Sequence, residues 1–347
     1  MSSRVTLKQI AEELGLSIMT VSRALNNKEN VTEKTRVRVL NTAQKLGYRP
    51  NYIAKSLVLN KTFTIGVVVP EITHSFFPEV IRGIEEVAYE NDYHLILTHS
   101  AEHDKRERDA IATLESKRVD GILISTAQTV ENFNFYKKVM QNNLPFVFFD
   151  RYVNGTGASN VSVNDVESSR KITNHLIEEH GYTKIAHLSG PVKVNIGKKR
   201  LEGFRKAMES HNLEVNEKFI VEAGFHERGG AEAMRKLLEM PKKERPEAVV
   251  AVNDPAAYGA MQTIMDYGLK IPDDIAITGF SDDIRSPLMP SPLTTIRQPA
   301  YEVGKRASQI LLEHIADEHR KAEDVIVDTE LVIRDSCGCR VKGNRII

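Results

Sequence analysis

Residues 6–26 read TLKQIAEELGLSIMTVSRALN, and this stretch decides the fold of the N-terminal part of the chain. Thr6 and Gln9 have the spacing of a capping box, so a first helix is expected to begin after Thr6. Gly15 ends that helix, and Ser17 can cap a second short helix. Two short helices joined by a glycine-containing turn form a helix-turn-helix unit.

A third helix is predicted to start at Thr32 and to stop at Gly47, because glycine favours the left-handed conformation that ends a helix. Its inward positions are predicted to be Val37, Leu40, Ala43 and Leu46. The three helices together form a small all-α head.

The second helix has an outer surface of short or flat side chains and one guanidinium, which fits the major groove of DNA. Arg23 could read guanine edges, and Ile18 and Met19 could pack on thymine methyl groups. Thr20 and Ser22 could hold phosphates. The predicted DNA contacts of the head are Thr6, Ser17, Ile18, Met19, Thr20, Ser22, Arg23 and Asn26.

The charge distribution supports a nucleic-acid partner for this head. Residues 1–60 hold ten Lys or Arg against four Asp or Glu, a formal charge of +6, whereas the whole chain is neutral. A basic head on an acidic body indicates that only the head meets a polyanion. The N-terminus lacks the apolar core of a secretory signal, no apolar run is long enough to cross a membrane, and two cysteines cannot form a disulfide framework. A cytoplasmic protein, associated with the nucleoid when bound to DNA, is therefore expected.

The head closely resembles that of the lactose/galactose repressor family, in residues 7–26 and in Gly47-Tyr48-Arg49-Pro50-Asn51-Tyr52-Ile53-Ala54-Lys55-Ser56-Leu57. The resemblance implies a hinge helix over Pro50 to Leu57, ordered when two subunits sit on an operator. The length of this segment is consistent with a helix that is ordered only on the operator, since so short a segment is not a stable helix alone. Paired hinges can wedge apolar side chains into the minor groove. The predicted hinge contacts are Asn51, Ala54, Lys55 and Leu57, although Leu57 could instead be a linker anchor.

The body alternates strands with helices from Thr64 onward, which predicts an α/β fold of parallel sheets with helices on both faces. It resembles the two-lobed sugar-binding clam shared by periplasmic sugar receptors and the same repressor family. The pieces that carry this resemblance are IGVVVP at 65–70, VDGILI at 119–124, RLEGF at 200–204, ND at 253–254, GFSDD at 279–283 and LTTIRQP at 293–299. The predicted domains are a head at 1–49, a hinge and linker at 50–62, and a body at 63–340, with lobe one at about 63–163 and 293–325 and lobe two at about 164–291 and 326–340.

An effector is expected in the cleft between the lobes, because ligands of parallel sheets lie beyond the carboxyl ends of the strands. The candidate contacts are Phe76, Phe77, Asp150, Arg151, Asn195, Arg200, Phe225, Asp254, Phe280 and Asp282. The resemblance supports Arg200 and Asp254 most firmly as effector contacts. A guanidinium and a carboxylate that face each other can each form hydrogen bonds with sugar hydroxyls. Phe77 and Phe280 could equally be core residues, and Asp150 could brace a loop. Val194 and Ile196 flank Asn195 where the purine-sensing member of the family has polar side chains, which argues against a purine effector.

An enzyme, a cofactor and a metal site are not expected. The sequence contains no phosphate loop, nucleophile elbow or zinc-protease motif. His175 and His180 do not share a helix face well, and Cys337 and Cys339 are interpreted as free surface thiols.

The sequence therefore predicts a homodimeric transcriptional regulator, acting as a repressor of carbohydrate-utilisation genes. Its predicted partners are a near-palindromic double-stranded DNA operator and a small-molecule effector, a sugar or sugar derivative. No leucine heptads follow residue 336, so a dimer is favoured over a tetramer. Two alternatives stay open: a phosphoprotein that docks on the lobes as co-effector, and a sugar-binding protein without a regulatory role.

Overall fold

The computed structural model describes residues 5–48, 61–128, 133–140, 144–317, 319–339 and 345–346. The chain divides into two compact units, residues 1–62 and residues 63–347. The predicted hinge contacts Asn51, Ala54, Lys55 and Leu57 lie outside the described residues.

The first unit consists of three helices: α1 (Leu7–Leu14), α2 (Ile18–Leu25) and α3 (Glu33–Leu46). Their ends confirm the local chemistry expected from the sequence. Thr6 and Gln9 form the capping box of α1, and Ser17 caps α2 by accepting a hydrogen bond from the amide of Thr20. Gly15 and Gly47 end α1 and α3 in the left-handed conformation, at φ 64° and 71°.

The buried face of α3 differs from the predicted one. Val39 and Ala43 are buried against Ile10 and Val21, whereas Val37 and Leu40 are each 46% exposed. The prediction of Val37 and Leu40 as core positions is therefore wrong, whereas Ala43 is buried and Leu46 packs against the same core, as predicted. Apolar spacing alone could not decide this, because α3 carries apolar side chains on two faces.

The second unit contains two sheets, each with helices on both faces, as predicted. The first sheet has six parallel strands in the order β11-β5-β4-β3-β1-β2. Its strands are β1 (Thr64–Val69), β2 (His94–His99), β3 (Gly121–Ile124), β4 (Phe146–Phe149), β5 (Ser159–Val163) and β11 (Asp324–Val327). Its helices are α4 (Phe76–Glu90), α5 (Asp104–Ser116), α6 (Phe133–Met140) and α11 (Ala300–Ala316).

The second sheet has the order β13-β12-β10-β9-β8-β6-β7, and it is parallel except where β12 pairs with β10 and with β13. Its strands are β6 (Ile185–Ser189), β7 (Ile220–Glu222), β8 (Ala248–Ala251), β9 (Ala276–Ser281), β10 (Thr294–Arg297), β12 (Glu330–Ile333) and β13 (Arg345–Ile346). Its helices are α7 (Asp165–His180), α8 (Asn195–Ser210), α9 (Glu227–Leu238) and α10 (Asp254–Asp266).

The chain crosses between these two lobes at three places: after β5, after β10 and after β11. The predicted lobe boundaries need two corrections. β10 pairs with β9 and so belongs to lobe two, although residues from 293 were assigned to lobe one. β11 pairs with β5 and so belongs to lobe one, although residues from 326 were assigned to lobe two. Both strands have four residues, too few for a periodic pattern to reveal.

No helix in the described parts of the chain combines the length and the apolar character needed to cross a membrane. The apolar core lies in each lobe between the sheet and its helices, with Phe204 and Leu123 among its fully buried side chains. This core holds the strand ends rigidly, so the loops that follow them can present side chains at fixed positions.

Candidate functional site

The outer surface of α2 presents the side chains that the sequence assigned to DNA. Ile18 and Met19 are 50% and 63% exposed, although both are apolar. Val21 and Ala24, on the opposite side of the helix, are buried and hold α2 against α1 and α3. An apolar surface that stays exposed while its neighbours form the core indicates a contact surface for another molecule.

Arg23 extends from this surface and is exposed. Its guanidinium has no hydrogen-bond or ion-pair partner among the described residues of the head. Ser17 and Asn26 have local roles as well, since Ser17 caps α2 and the amide of Asn26 donates to the carbonyl of Ser22 over 2.8 Å. Thr6 likewise completes the capping box of α1. Arg23 is therefore the head side chain most available to a base edge.

In the second unit, a cavity opens between the lobes at the carboxyl ends of the strands. Its empty volume, open solvent at the mouth included, is about 530 Å³. Six of the ten predicted effector contacts line it: Phe76, Phe77, Asp150, Arg151, Arg200 and Phe225. The other lining residues are Glu71, His74, Glu102, Ile196, His226, Asn253, Pro255, Ser281, Asp283 and Gln298.

Arg200 is held at the floor of the cavity by lobe two. Its Nε donates to Asp165 Oδ1 over 2.8 Å, and its Nη1 donates to the carbonyl of Val252 over 2.7 Å. The guanidinium lies 3.6 Å from the ring centre of Phe280, which is buried beneath it. Nη2 has no partner among the described residues, and so remains free to donate to a ligand.

Arg151 occupies the opposite wall, on lobe one. Its Nη1 donates to both carboxylate oxygens of Glu102, over 2.8 and 3.0 Å. The guanidinium lies 4.3 Å from the ring centre of Phe225 on lobe two, a cation–π contact between the lobes. Its Nε is buried without a hydrogen-bond partner among the described residues. A buried donor without a partner is rare and fits a place where a ligand supplies the acceptor.

Asp150 lies between the two arginines at the end of β4. Burial raises its pKa to about 6, although Arg151 and Arg200 oppose that shift. Burial also raises the pKa of Asp165, against the effect of Arg200. Asp150 has a φ of 58°, and Ser281 at the end of β9 has a φ of 134°. Such backbone conformations are uncommon outside glycine and tend to gather at binding sites.

Asp254 does not line the cavity and does not face Arg200. Its carboxylate accepts hydrogen bonds from the Thr295 hydroxyl, the Ser286 hydroxyl and the amide of Asp283, over 2.6, 2.7 and 2.7 Å. The residue is 0% exposed. The expected facing pair is therefore corrected: Arg200 pairs with Asp165, and Asp254 instead braces the loop after β9. The physical reason is that three donors inside lobe two satisfy this carboxylate before any ligand arrives.

The remaining three candidates also lie off the cavity. Phe280 is core, as the alternative interpretation allowed. Asp282 forms ion pairs with Arg297 and Arg334, each over 2.7 Å. Asn195 joins the lobes, since its side-chain oxygen accepts from the amide of Tyr152 over 3.2 Å and its amide donates to the carbonyl of Asp150 over 3.1 Å.

The mouth of the cavity is held by polar contacts between the lobes. The hydroxyl and the amide of Ser75 donate to Asp283 Oδ2 over 2.7 and 3.0 Å. Burial would raise the pKa of Asp283, but these and further hydrogen bonds hold it at about 2. His74 lies 3.3 Å from a guanidinium nitrogen of Arg285, and His226 lies 3.9 Å from Glu71. The lobes are therefore closed around the cavity.

Sequence reasoning missed the partners of the two arginines, Asp165 and Glu102, and the mouth residues Glu71, His74 and Asp283. Their positions after strands could have identified Glu71, the second residue after β1, and Gln298, which directly follows β10. Asp165 gives no such signal, because it begins a helix at a crossing between the lobes. Its proximity to Arg200 depends on how α7 packs against α8.

Comparison with known proteins agrees with this division of the chain. Residues 6–51 match the family described as "Bacterial regulatory proteins, lacI family", and residues 173–337 match "Periplasmic binding protein-like domain". The HTH-type transcriptional repressor PurR of Vibrio campbellii is 36% identical over 95% of this chain and 98% of its own length. A solved structure of the Lac repressor dimer bound to operator and the anti-inducer ONPF has a TM-score of 0.86 at 25% identity, covering 96% of this chain and 99% of that one. A complex of the transcriptional regulator CelR with cellobiose has a TM-score of 0.73 at 25% identity, covering 96% and 100%.

A helical DNA-reading head joined to a two-lobed body with a ligand cleft defines a ligand-controlled transcriptional regulator. The similarity over nearly the whole chain then settles the family. This protein belongs to the lacI family of bacterial regulatory proteins.

Proposed function

We propose that this regulator represses carbohydrate-utilisation genes, and that a sugar or sugar derivative bound between the lobes controls it. The observation that carries the proposal is the cavity wall, where Arg151 Nε and Arg200 Nη2 are donors without a hydrogen-bond partner among the described residues. Oxygen atoms of a ligand can serve as acceptors for both donors. Phe76 lines the same cavity, where its aromatic ring can pack against the apolar face of a sugar ring.

The surroundings of Arg151 and Arg200 differ from those of arginines in a site that binds highly charged anions. Each already pairs with a carboxylate, Glu102 or Asp165, and Asp150 and Asp283 add further negative charge. A polyhydroxylated ligand fits such a mixed wall, because its hydroxyl groups donate to carboxylates and accept from guanidinium groups. CelR, a structural neighbour, is solved in complex with cellobiose, which supports a carbohydrate effector for this chain too.

We infer that the protein works as a homodimer on a near-palindromic operator in the bacterial cytoplasm. The Lac repressor neighbour is a dimer bound to operator, and a two-fold protein calls for a two-fold site. Ligand binding must favour one angle between the lobes over another to change DNA affinity, with a coupling of about 1–3 kcal/mol.

A thermal-shift screen tests the effector class directly. The full-length protein is heated with neutral sugars, sugar acids, sugar phosphates and nucleobases, each in excess. A ligand at about 100 times its Kd stabilises by about 2.7 kcal/mol, which shifts the melting temperature visibly. We expect a shift with a sugar or sugar derivative. A shift with nucleobases alone would overturn the sugar assignment, and no shift in any class would favour a protein co-effector.

Two aromatic variants on one helix provide a control for that screen. Phe76 lines the cavity at the start of α4, whereas Tyr89 near the end of α4 is 77% exposed. Phe76→Ala should abolish or sharply reduce the ligand-induced shift. Tyr89→Ala should keep it.

A further inference from the structure

Four metal-ligating side chains converge in lobe two, far along the sequence from one another. They are His175 and His180 on α7, and Cys337 and Cys339 at the end of the body. Their ligand atoms all lie within 4.8 Å of one another. The sequence suggested that the two histidines do not share a helix face well and that the thiols lie free on the surface. The first expectation is wrong, because the imidazole rings lie 5.3 Å apart and edge to face. The second is wrong in part: both thiols are free and Cys339 is half-buried, but Cys337 is fully buried.

We propose that these four residues form a structural zinc site. A tetrahedral Zn²⁺ bound at about 2.3 Å from sulfur and about 2.0 Å from nitrogen separates each nitrogen–sulfur pair by about 3.5 Å. His175 Nε2 lies 3.4 Å from Cys337 Sγ and 3.5 Å from Cys339 Sγ, and His180 Nε2 lies 3.3 Å from Cys339 Sγ. Small movements therefore suffice to complete the coordination. Two thiolates and two imidazoles in tetrahedral arrangement are a donor set that selects zinc.

The surroundings hold the ligands in place. Tyr182 stacks on His180 at 5.6 Å between ring centres, which fixes the orientation of that imidazole. The hydroxyl of Thr294 lies 3.2 Å from Cys337 Sγ and can donate to a thiolate there. Such outer contacts orient the ligands of metal sites.

Gly338 makes the approach of the two cysteines to the imidazoles possible. It has a φ of 112°, and a Cβ at this position would lie 3.1 Å from Nδ1 of His180. Any other residue between the cysteines would therefore be strained and would crowd the ring. The loop is shaped so that both sulfur atoms face the histidines.

A bound zinc would join the C-terminal end of α7 to the end of the body. The N-terminal residue of α7 is Asp165, which holds Arg200 in the cavity. The site would thus stabilise the helix that positions a cavity residue, at a distance from the cavity itself.

Metal analysis of the full-length protein, purified without added metal or a chelating tag, tests this proposal. We expect about one zinc per chain, as for other closed four-ligand sites. Cys339→Ser and His180→Gln should each lower that content at least tenfold. His103→Gln, which changes an exposed histidine in lobe one, should leave it unchanged.

Cobalt binding keeps the test valid if a variant fails to fold. The reduced, metal-free wild-type protein should bind one Co²⁺ per chain, with the visible absorption of tetrahedral cobalt and a thiolate-to-cobalt charge-transfer band. Removal of the metal should lower the melting temperature by several degrees. Absence of zinc as purified together with absence of a tetrahedral cobalt spectrum would overturn the proposal. So would a Cys337–Cys339 disulfide that is present as purified, if the protein binds no cobalt after reduction.

Discussion

The guanidinium of Arg200 donates from Nε to Oδ1 of Asp165 over 2.8 Å, and the two side chains are only 3% and 0% exposed. The pair joins α8 to the first residue of α7. A charge pair so deeply buried depends on both partners, since removal of one leaves the other unpaired at a cost of about 3–5 kcal/mol. The arrangement explains how lobe two keeps a charged donor at the floor of a cavity before any ligand is bound.

Arg200→Lys should weaken effector binding without a change in net charge. A lysine ammonium cannot reach Asp165, the Val252 carbonyl and a ligand together in the planar arrangement that arginine allows. We expect at least a tenfold rise in Kd, or about 1.4 kcal/mol, measured by calorimetry with the ligand found in the screen.

Arg205→Lys is the matched control, because Arg205 lies on the same helix and pairs with Glu217 at the protein surface. Its effector affinity should equal that of the wild type. An unchanged effector affinity in Arg200→Lys would contradict the assignment of Arg200 as a ligand contact.

Arg23→Ala should relax the DNA specificity at one base position. The exposed guanidinium has no partner in the described part of the head, and a bidentate contact to guanine discriminates by about 1–3 kcal/mol. Operators are first selected from random DNA with the wild-type protein, and both proteins are then titrated against all single-base variants. Arg228→Ala, at an exposed position in the body, is the control. A uniform loss across all sequences would instead identify Arg23 as a phosphate contact.

The local chemistry of helix ends was predictable to the residue, whereas the direction of buried side chains was not. Thr6, Gly15, Ser17 and Gly47 act on backbone groups within a few residues, so their roles can be read from spacing. Val37 points outward because the packing of α3 on its neighbours, which is not local, decides which apolar face is buried.

The strand alternation predicted both sheets but not every strand. β5 reads SNVSV and is buried throughout, yet only two of its five residues are apolar. Its polar side chains contact residues far along the chain, since Ser159 Oγ lies 2.8 Å from His314 Nε2 on α11 and the Asn160 amide donates to Asp324 on β11, and sequence periodicity cannot show such contacts. Asp254 shows the same limit within the site. Its position after β8 was predicted correctly, but the three donors that turn its carboxylate into lobe two come from residues up to 41 positions away.

Asp150→Asn should change how stability depends on pH. Burial raises the pKa of Asp150 from its ordinary 3.8 to about 6, so the folded state binds a proton that the unfolded state releases between those values. This carboxyl therefore favours folding less as pH rises from about 4 to about 6, and that cost persists at higher pH. Asparagine carries no such charge and tolerates the positive φ at this position.

The free energy of unfolding, measured with urea from about pH 4 to about pH 7, checks this expectation. The wild-type value minus the Asp150→Asn value should fall with rising pH, by about 3 kcal/mol at most. Asp109→Asn, at an exposed position on α5, controls for the loss of one acidic group. A difference that rises with pH would mean that the arginines lower the pKa of Asp150 more than burial raises it.

Ser75→Ala should loosen the closure of the cavity. The Ser75 hydroxyl of lobe one donates to Asp283 of lobe two over 2.7 Å, and Ser75 itself does not line the cavity. A hydrogen bond of this kind contributes about 0.5–1.5 kcal/mol net, or about 2–13-fold in an equilibrium constant. Since the contact exists only when the lobes are closed, its loss should speed effector dissociation and raise Kd by that factor.

Ser116→Ala is the control, because the Ser116 hydroxyl bonds only within α5, to the carbonyl of Thr113. Stopped-flow measurements of the effector dissociation rate show whether Ser75→Ala releases the effector faster than Ser116→Ala. If Ser75→Ala and Ser116→Ala release the effector equally fast, the closed arrangement does not depend on the contact between Ser75 and Asp283, and the Asn195 bridge becomes the contact to test.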